Sequence, residues 1–346
     1  MKTSNFIFPQ ATDASRDAEY ISDALDEAKL SEELGFDAVW LAEHHFDGNC
    51  CYVDPITFAS AILASTKRLN VGFAVAQLSL HHPIALAEQM SLLDNMSKGR
   101  LIVGIGKGTN YNIYEYDGYG IDPAESQERY EEAEELMIKA WTGEDGFSHD
   151  GKYWQVKAPT LRPRPFTRPY PTTLRAASSE QGAIFMGKSG VPFMMNAQSD
   201  EQTIARLELY KTAMKDAGYS KEHVARCMSE TWIWRNIYVG ENDKEAEEIG
   251  TPNFIAMIDH RAATRERLAA EQGKLNKANP VYRDPKIGLL AGSSSTVAER
   301  MRKLAAAGVG GVMVQFKLGP MDQGVANASI RRFAEEVIPE IPNMSA

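Results

Sequence analysis

Asp37-Ala38-Val39-Trp40-Leu41-Ala42-Glu43-His44-His45-Phe46 is the stretch on which the fold turns. Ala38 to Leu41 is an unbroken apolar run, the pattern of a strand buried on both faces as in a parallel sheet. Before it, Tyr20, Ile21, Leu25, Ala28 and Leu34 fall on one helical stripe within Ala18 to Leu34, and Gly35 stops that helix. Helix followed by short buried strand recurs about every 30 residues, the rhythm of βαβ units.

Working outward, strands are expected at Asn5 to Phe8, Ala38 to Leu41, Leu69 to Ala76, Leu101 to Ile105, Thr172 to Ala176, Pro192 to Met195, Thr231 to Val239 and Gly311 to Phe316. Helices are expected at Pro55 to Leu63, capped by Asp54, at Pro83 to Met96 and at Glu125 to Trp141, with a Pro-rich hairpin excursion from Phe147 to Pro171. Eight βα units fit a closed (β/α)8 TIM barrel better than an open Rossmann sheet, because no strand is set apart by the dinucleotide glycine turn. Gly250 to Gly292 is far longer than an ordinary βα connection and reads as a lid-like insertion between strands seven and eight. With no linker or repeat, residues 1–346 read as one domain.

The 37 Lys and Arg against 47 Asp and Glu leave a net charge of −10, which repels nucleic acid and anionic lipid. At 43% apolar and 24% charged, the chain can bury a core without disulfide staples. Three cysteines form no framework, and no signal peptide or spanning segment is visible, so a soluble cytoplasmic protein is expected.

Reacting groups in such a barrel sit just past the carboxyl ends of strands. Strand two runs into Glu43, His44 and His45, and alternation turns one histidine to the barrel mouth and the other away. Two histidines packing at a rim is the plainer reading. No metal is expected: His81 and His82 add imidazoles, but no HExxH pairing or zinc-knuckle spacing is present, and His82 before Pro83 suits a capping role. Cys50 and Cys51 have no evident cationic partner and read as bystanders. Gly104-Ile105-Gly106-Lys107-Gly108 lacks the ending of a Walker loop; its small residues let a flat ligand approach the backbone, and Lys107 offers charge to an anion. Ser178 and Ser179 before one helix, and Ser293 to Ser295 before another, are two candidate phosphate cradles, each equally readable as a serine N-cap.

Trp40 to Phe46, Asn70-Val71-Gly72, His82-Pro83 with Ala87-Glu88, and Leu93 to Arg100 running into Gly104-Ile105-Gly106 together resemble the bacterial luciferase family of flavin-dependent monooxygenases. The resemblance is dense over residues 36–122 and continues more thinly through Ser178-Ser179, Gly190-Val191-Pro192 and Gly308 to Phe316. It implies a TIM barrel that receives reduced FMN from a separate NAD(P)H:flavin reductase and reacts it with O2 to oxidise a small organic substrate such as an aldehyde or ketone. By the same resemblance His44 is the active-site histidine, Glu43 the flavin-site glutamate, and Glu115 stands where the luciferase α subunit has an aspartate. Ala74-Val75 matches a non-prolyl cis peptide behind the flavin ring, and Lys107, Ser178 and Ser179 match phosphate-binding positions. Gly106 replaces a reactive cysteine and Lys107 an arginine, so light emission is not implied. A homodimer through the Pro55 to Leu63 and Glu88 to Leu93 helices is expected. Phe8, Tyr111, Asn196, Trp232 and Trp234 are expected to make the cavity aromatic. Two alternatives are a deazaflavin-dependent hydride-transfer enzyme and a catalytically silent luciferase-like subunit.

Overall fold

The computed structural model describes residues 1–109, 112–143, 146–271 and 283–342. The first half alternates β1 (Lys2–Ile7), α1 (Asp17–Glu33), β2 (Ala38–Leu41), α2 (Pro55–Ser65), β3 (Asn70–Phe73), β4 (Ala76–Gln77), α3 (Pro83–Ser97) and β5 (Leu101–Gly106). Two helices, α4 (Ile113–Gly118) and α5 (Ser126–Thr142), then lead to the hairpin β6 (Phe147–Asp150) and β7 (Gln155–Ala158). The second half contains β8 (Thr172–Ala176), α6 (Glu180–Ser189), β9 (Phe193–Met195), α7 (Asp200–Asp216), α8 (Lys221–Ser229) and β10 (Trp232–Gly240). It ends with α9 (Asp243–Glu271), α10 (Pro285–Gly288), β11 (Leu289–Ser293), α11 (Ser294–Ala306), β12 (Gly311–Gln315) and α12 (Gln323–Arg332).

Parallel pairing runs β1, β2, β3, β5, β8, β9, β10, β12 and back to β1, closing an eight-stranded TIM barrel surrounded by helices. The eight expected strands are these eight. Two details differ from expectation. The third strand breaks in two at Ala74-Val75, and β11 adds a parallel strand to the far half of β10, pairing Asn236 with Leu289 through Gly240 with Ser293.

Interior packing explains several glycines. A Cβ on Gly72 would lie 2.5 Å from Trp40 and one on Gly311 2.4 Å from Trp232, so each indole fills the space left by the neighbouring strand. The two indoles meet edge to face at 5.0 Å. Trp232 is therefore part of the barrel plug below the mouth and does not line the cavity, a correction to the expected aromatic wall.

The insertion is also different from its reading as a loop. Residues 243–271 are one helix with Pro252 inside it. Gly250 sits against Tyr238, where a Cβ would come within 2.9 Å. Close packing of α9 on β10, rather than a turn, accounts for that glycine. Of the rest of the expected lid, residues 272–282 lie outside the described residues, and α10 with most of β11 takes up its end. Among the described residues no helix is long and apolar enough to cross a membrane.

Candidate active site

At the carboxyl ends of the strands lies a cavity of about 440 Å3, within the range of small-molecule and cofactor sites. His44, Ala74, Val75, Gly106, Lys107, Ser178 and Asn196 border it, with Phe8 and Trp234 among the aromatic walls. Tyr111 lies outside the described residues.

The end of β2 separates its two histidines. His45 is buried, and its Nε2 is 2.9 Å from Glu43 Oε1 while its Nδ1 is 3.3 Å from the Tyr119 hydroxyl. His81 Nε2 approaches the same Glu43 oxygen at 2.7 Å, and the Gln77 backbone N–H donates to Oε2 at 2.7 Å. Burial alone would push the Glu43 carboxyl up; the His45 and His81 hydrogen bonds, the His81 charge and the Gln77 N–H outweigh it and hold it at about 2. For His81 burial opposes the charged form, but the bond to Glu43 and its charge prevail and raise the imidazole above its ordinary value. Glu43 thus borders the cavity as a fixed, fully engaged anion.

His44 is arranged otherwise. Its Nδ1 is 3.1 Å from Glu115 Oε1 and 3.1 Å from Asn112 Nδ2, and its ring stacks on Phe8 at 5.1 Å. One nitrogen cannot donate to the carboxylate and accept from the amide at once, so the ring's Nδ1–H form pairs with Glu115. No described residue bonds Nε2. Glu115 is fully buried and also accepts from the His45 backbone N–H at 3.0 Å and from Gln77 Nε2 at 3.0 Å. Gln77 Nε2 donates to the Glu43 carbonyl as well, at 2.9 Å, and so ties the two carboxylate centres together.

At the break in the third strand, the peptide between Ala74 and Val75 is cis, as the resemblance implied. A Cβ on Gly106 would come within 2.9 Å of Val75 Cγ2, so glycine is what keeps this floor flat. Ser178 Oγ accepts from the Asn196 N–H at 3.1 Å and borders the cavity, whereas Ser179 Oγ caps α6 by accepting from the Gly182 N–H at 3.0 Å. The second serine cradle is already filled. Asp243 Oδ1 accepts from the Ser293 N–H at 2.7 Å and from Thr296 Oγ1 at 2.8 Å, so a built-in carboxylate occupies the place of an anion, away from the cavity. His82 stands at the N-cap position of α3 without a side-chain capping bond; the histidine that matters there is His81. Cys50 is buried, with burial raising its thiol, and borders nothing reactive. Among the described residues no group of His, Cys, Asp and Glu could hold a metal ion.

Sequence reading weighed His81 only as a metal ligand and passed over Gln77 and Asn112, and over Arg261 and Arg265, which reach the cavity from α9. Gln77 follows the third strand and could have been found there. The arginines could not, because the insertion gave no helical pattern to place them on one face.

Residues 1–311 match the Luciferase-like monooxygenase family. The Sinorhizobium fredii protein y4wF is 34% identical over 252 residues, covering 72% of this chain and 70% of that one. The crystal structure of monooxygenase RslO1 from Streptomyces bottropensis superposes with a TM-score of 0.79 and 26% identity, over 98% of this chain and 99% of that one. The fold is shared too by the oxygenating constituent of 3,6-diketocamphane monooxygenase from Pseudomonas putida, a type II Baeyer-Villiger monooxygenase solved with FMN, at a TM-score of 0.78 and 20% identity over 100% and 99% of the two chains. With a closed eight-stranded parallel barrel and a family match over nine-tenths of its length, the chain belongs to the luciferase-like, flavin-dependent monooxygenases.

Proposed function

We propose that the protein is the oxygenase half of a two-component system, taking reduced FMN from a separate NAD(P)H:flavin reductase and using it with O2 to oxygenate a small organic substrate, an aldehyde, ketone or similar molecule. One observation supports this above the others: His44 is tethered to buried Glu115 through one nitrogen and borders, with the other unbonded, a cavity floored by Val75 and Gly106. The residues present suit FMN. A flat floor is kept by Gly106, Lys107 and Ser178 offer a cation and a hydroxyl to a phosphate, and the O–H of Ser179 is left to donate while its oxygen caps α6. Asn196 Oδ1, Trp234 Nε1 and Asn236 Oδ1 border the cavity with no hydrogen-bond partner among the described residues, and a bound polar ring would satisfy such groups. FMN is also what the structurally similar diketocamphane oxygenase binds.

Bound there, reduced FMN would supply the two electrons that activate O2. The chain's own part is narrower. His44 donates Nδ1–H to Glu115, which leaves Nε2 to accept a proton when the ring is neutral and to give one when it is charged. Glu115 fixes the ring's orientation. Phe6, Phe8, Met194, Met195 and Phe254 line the site with apolar surface that excludes water. Leu92 and Met96, half exposed on α3, support the expected homodimer.

Oxygen uptake with FMNH2 and a partner reductase, run across aldehydes, ketones and sulfonates and repeated with a reduced deazaflavin, tests the reading. Substrate-dependent uptake with FMNH2 by this chain alone supports it and excludes a silent subunit. Hydride transfer from the deazaflavin without oxygen consumption overturns it.

A further inference from the structure

Three guanidinium groups, those of Arg261, Arg265 and Arg283, border the cavity and take no part in the proton handling above. Phe254, Ile258, Arg261, Ala262 and Arg265 recur at helical spacing on α9, so one face of that helix turns apolar residues and then two cations toward the cavity. Arg261 lies over the Phe8 ring at 4.6 Å, and Phe8 stacks on His44 at 5.1 Å. Guanidinium, phenyl and imidazole therefore form one continuous row.

The charges at this end do not balance. Glu43 and Asp47 are the acidic side chains bordering the cavity. Glu43 is committed to His45, His81 and Gln77, while Asp47 accepts the Asn49 N–H at 2.8 Å and forms no ion pair with either arginine among the described residues. Arg283, also at the rim, pairs with Glu266 at 3.6 Å. Burial and the like charge of Arg265 push Arg261 down to about 10 against the weaker attraction of Asp47, so it remains a cation at neutral pH. Two cations one helical turn apart repel each other, and a shared oxyanion would turn that repulsion into paired, charge-assisted hydrogen bonds. The guanidinium fork matches the planar geometry of such a group.

We propose that Arg261 and Arg265 are the docking end for the anionic head of an organic carboxylate or sulfonate substrate, whose apolar body lies along Phe8 and Ile258 with its reacting carbon toward His44. The direction of the reaction rests on the oxygenase reading; the binding does not. Lys107 and Ser178 follow β5 and β8 whereas Arg261 and Arg265 belong to α9, so the two sets of groups reach the cavity from different elements.

Calorimetric titration of the protein, with and without FMN, compares four matched pairs: acetate and acetamide, butyrate and butyramide, benzoate and benzamide, octanoate and octanamide. At least one carboxylate should bind about tenfold or more tightly than its amide, the effect of a charge-assisted pair. R261Q/R265Q should abolish that preference while FMN affinity is kept, and the single R265Q, with thermal melting as a folding control, should reduce it. A smaller preference in every pair overturns the proposal, as does a preference that survives in the double variant. So does loss of FMN affinity in that variant equal to the loss of carboxylate affinity, which would assign the arginines to the cofactor phosphate. Because the pairs are titrated without turnover, a protein that selects carboxylates but ignores FMN would refute the oxygenase reading and leave this site standing.

Discussion

Two carboxylates stand on either side of Gln77, and they use the same kinds of neighbour to opposite ends. Around Glu43, two imidazoles and a backbone N–H converge on one carboxylate, and every strong partner is spent inside the protein. Around Glu115, a single imidazole is held by one nitrogen while the remainder of its ring borders the cavity. His44 and His45 are consecutive and chemically identical; the strand end aims one outward and buries the other. Position relative to the barrel mouth, not residue type, separates the histidine that borders the cavity from the one that is buried.

The sharpest break in this comparison is predicted for substitution of the histidines themselves. H44A should leave FMN binding nearly intact while cutting substrate turnover at least tenfold, within the usual range for a lost general acid or base. H45Q should lower the melting temperature and leave turnover per folded molecule largely intact. Equal turnover losses measured by steady-state oxygen uptake would erase the distinction. E43Q comes next: removing the charge that serves His45 and His81 should cost about 3 kcal/mol of stability, read by urea unfolding. A loss below about 1 kcal/mol would mean that this centre is dispensable to the fold.

A subtler effect follows from pH. The Glu43 carboxyl is depressed in the folded protein, so its contribution is complete above the ordinary 4.5 and drains away as pH falls toward about 2. His81 is raised, so its contribution is complete below the ordinary 6.5 and is lost as pH climbs through its folded value. Stability from this pair should plateau between pH 4.5 and 6.5, and H81Q should flatten the alkaline decline in a melting series; an unaltered decline would assign it elsewhere. The smallest expected change is at the floor. G106A would crowd Val75, and FMN should bind about fivefold more weakly, equivalent to about 1 kcal/mol of overpacking.

Much of this was legible in the residues. Buried apolar runs placed all eight barrel strands, Asp54-Pro55 marked the start of α2, and Glu43-His44 at the end of the second strand pointed to two residues that border the cavity, because strand burial and helix capping are local properties of the chain. Three things were not. The stretch from Gly250 read as a lid-like insertion, so α9 and its two arginines were hidden, and Gly250 answers to tertiary packing on Tyr238. Ser293 looked like an open cradle because Asp243, which fills it, is distant in sequence. Trp232 and Trp234 share a strand face, yet only depth in the barrel decides that Trp234 borders the cavity and Trp232 packs on Trp40.

A crystal of the protein soaked with FMN gives the most direct test. The ring should lie against Val75 and Gly106 with His44 Nε2 facing it and the phosphate at Lys107 and Ser178. A ring bound elsewhere, or one that contacts His45 while His44 points into the protein, would contradict the division of labour between the two histidines.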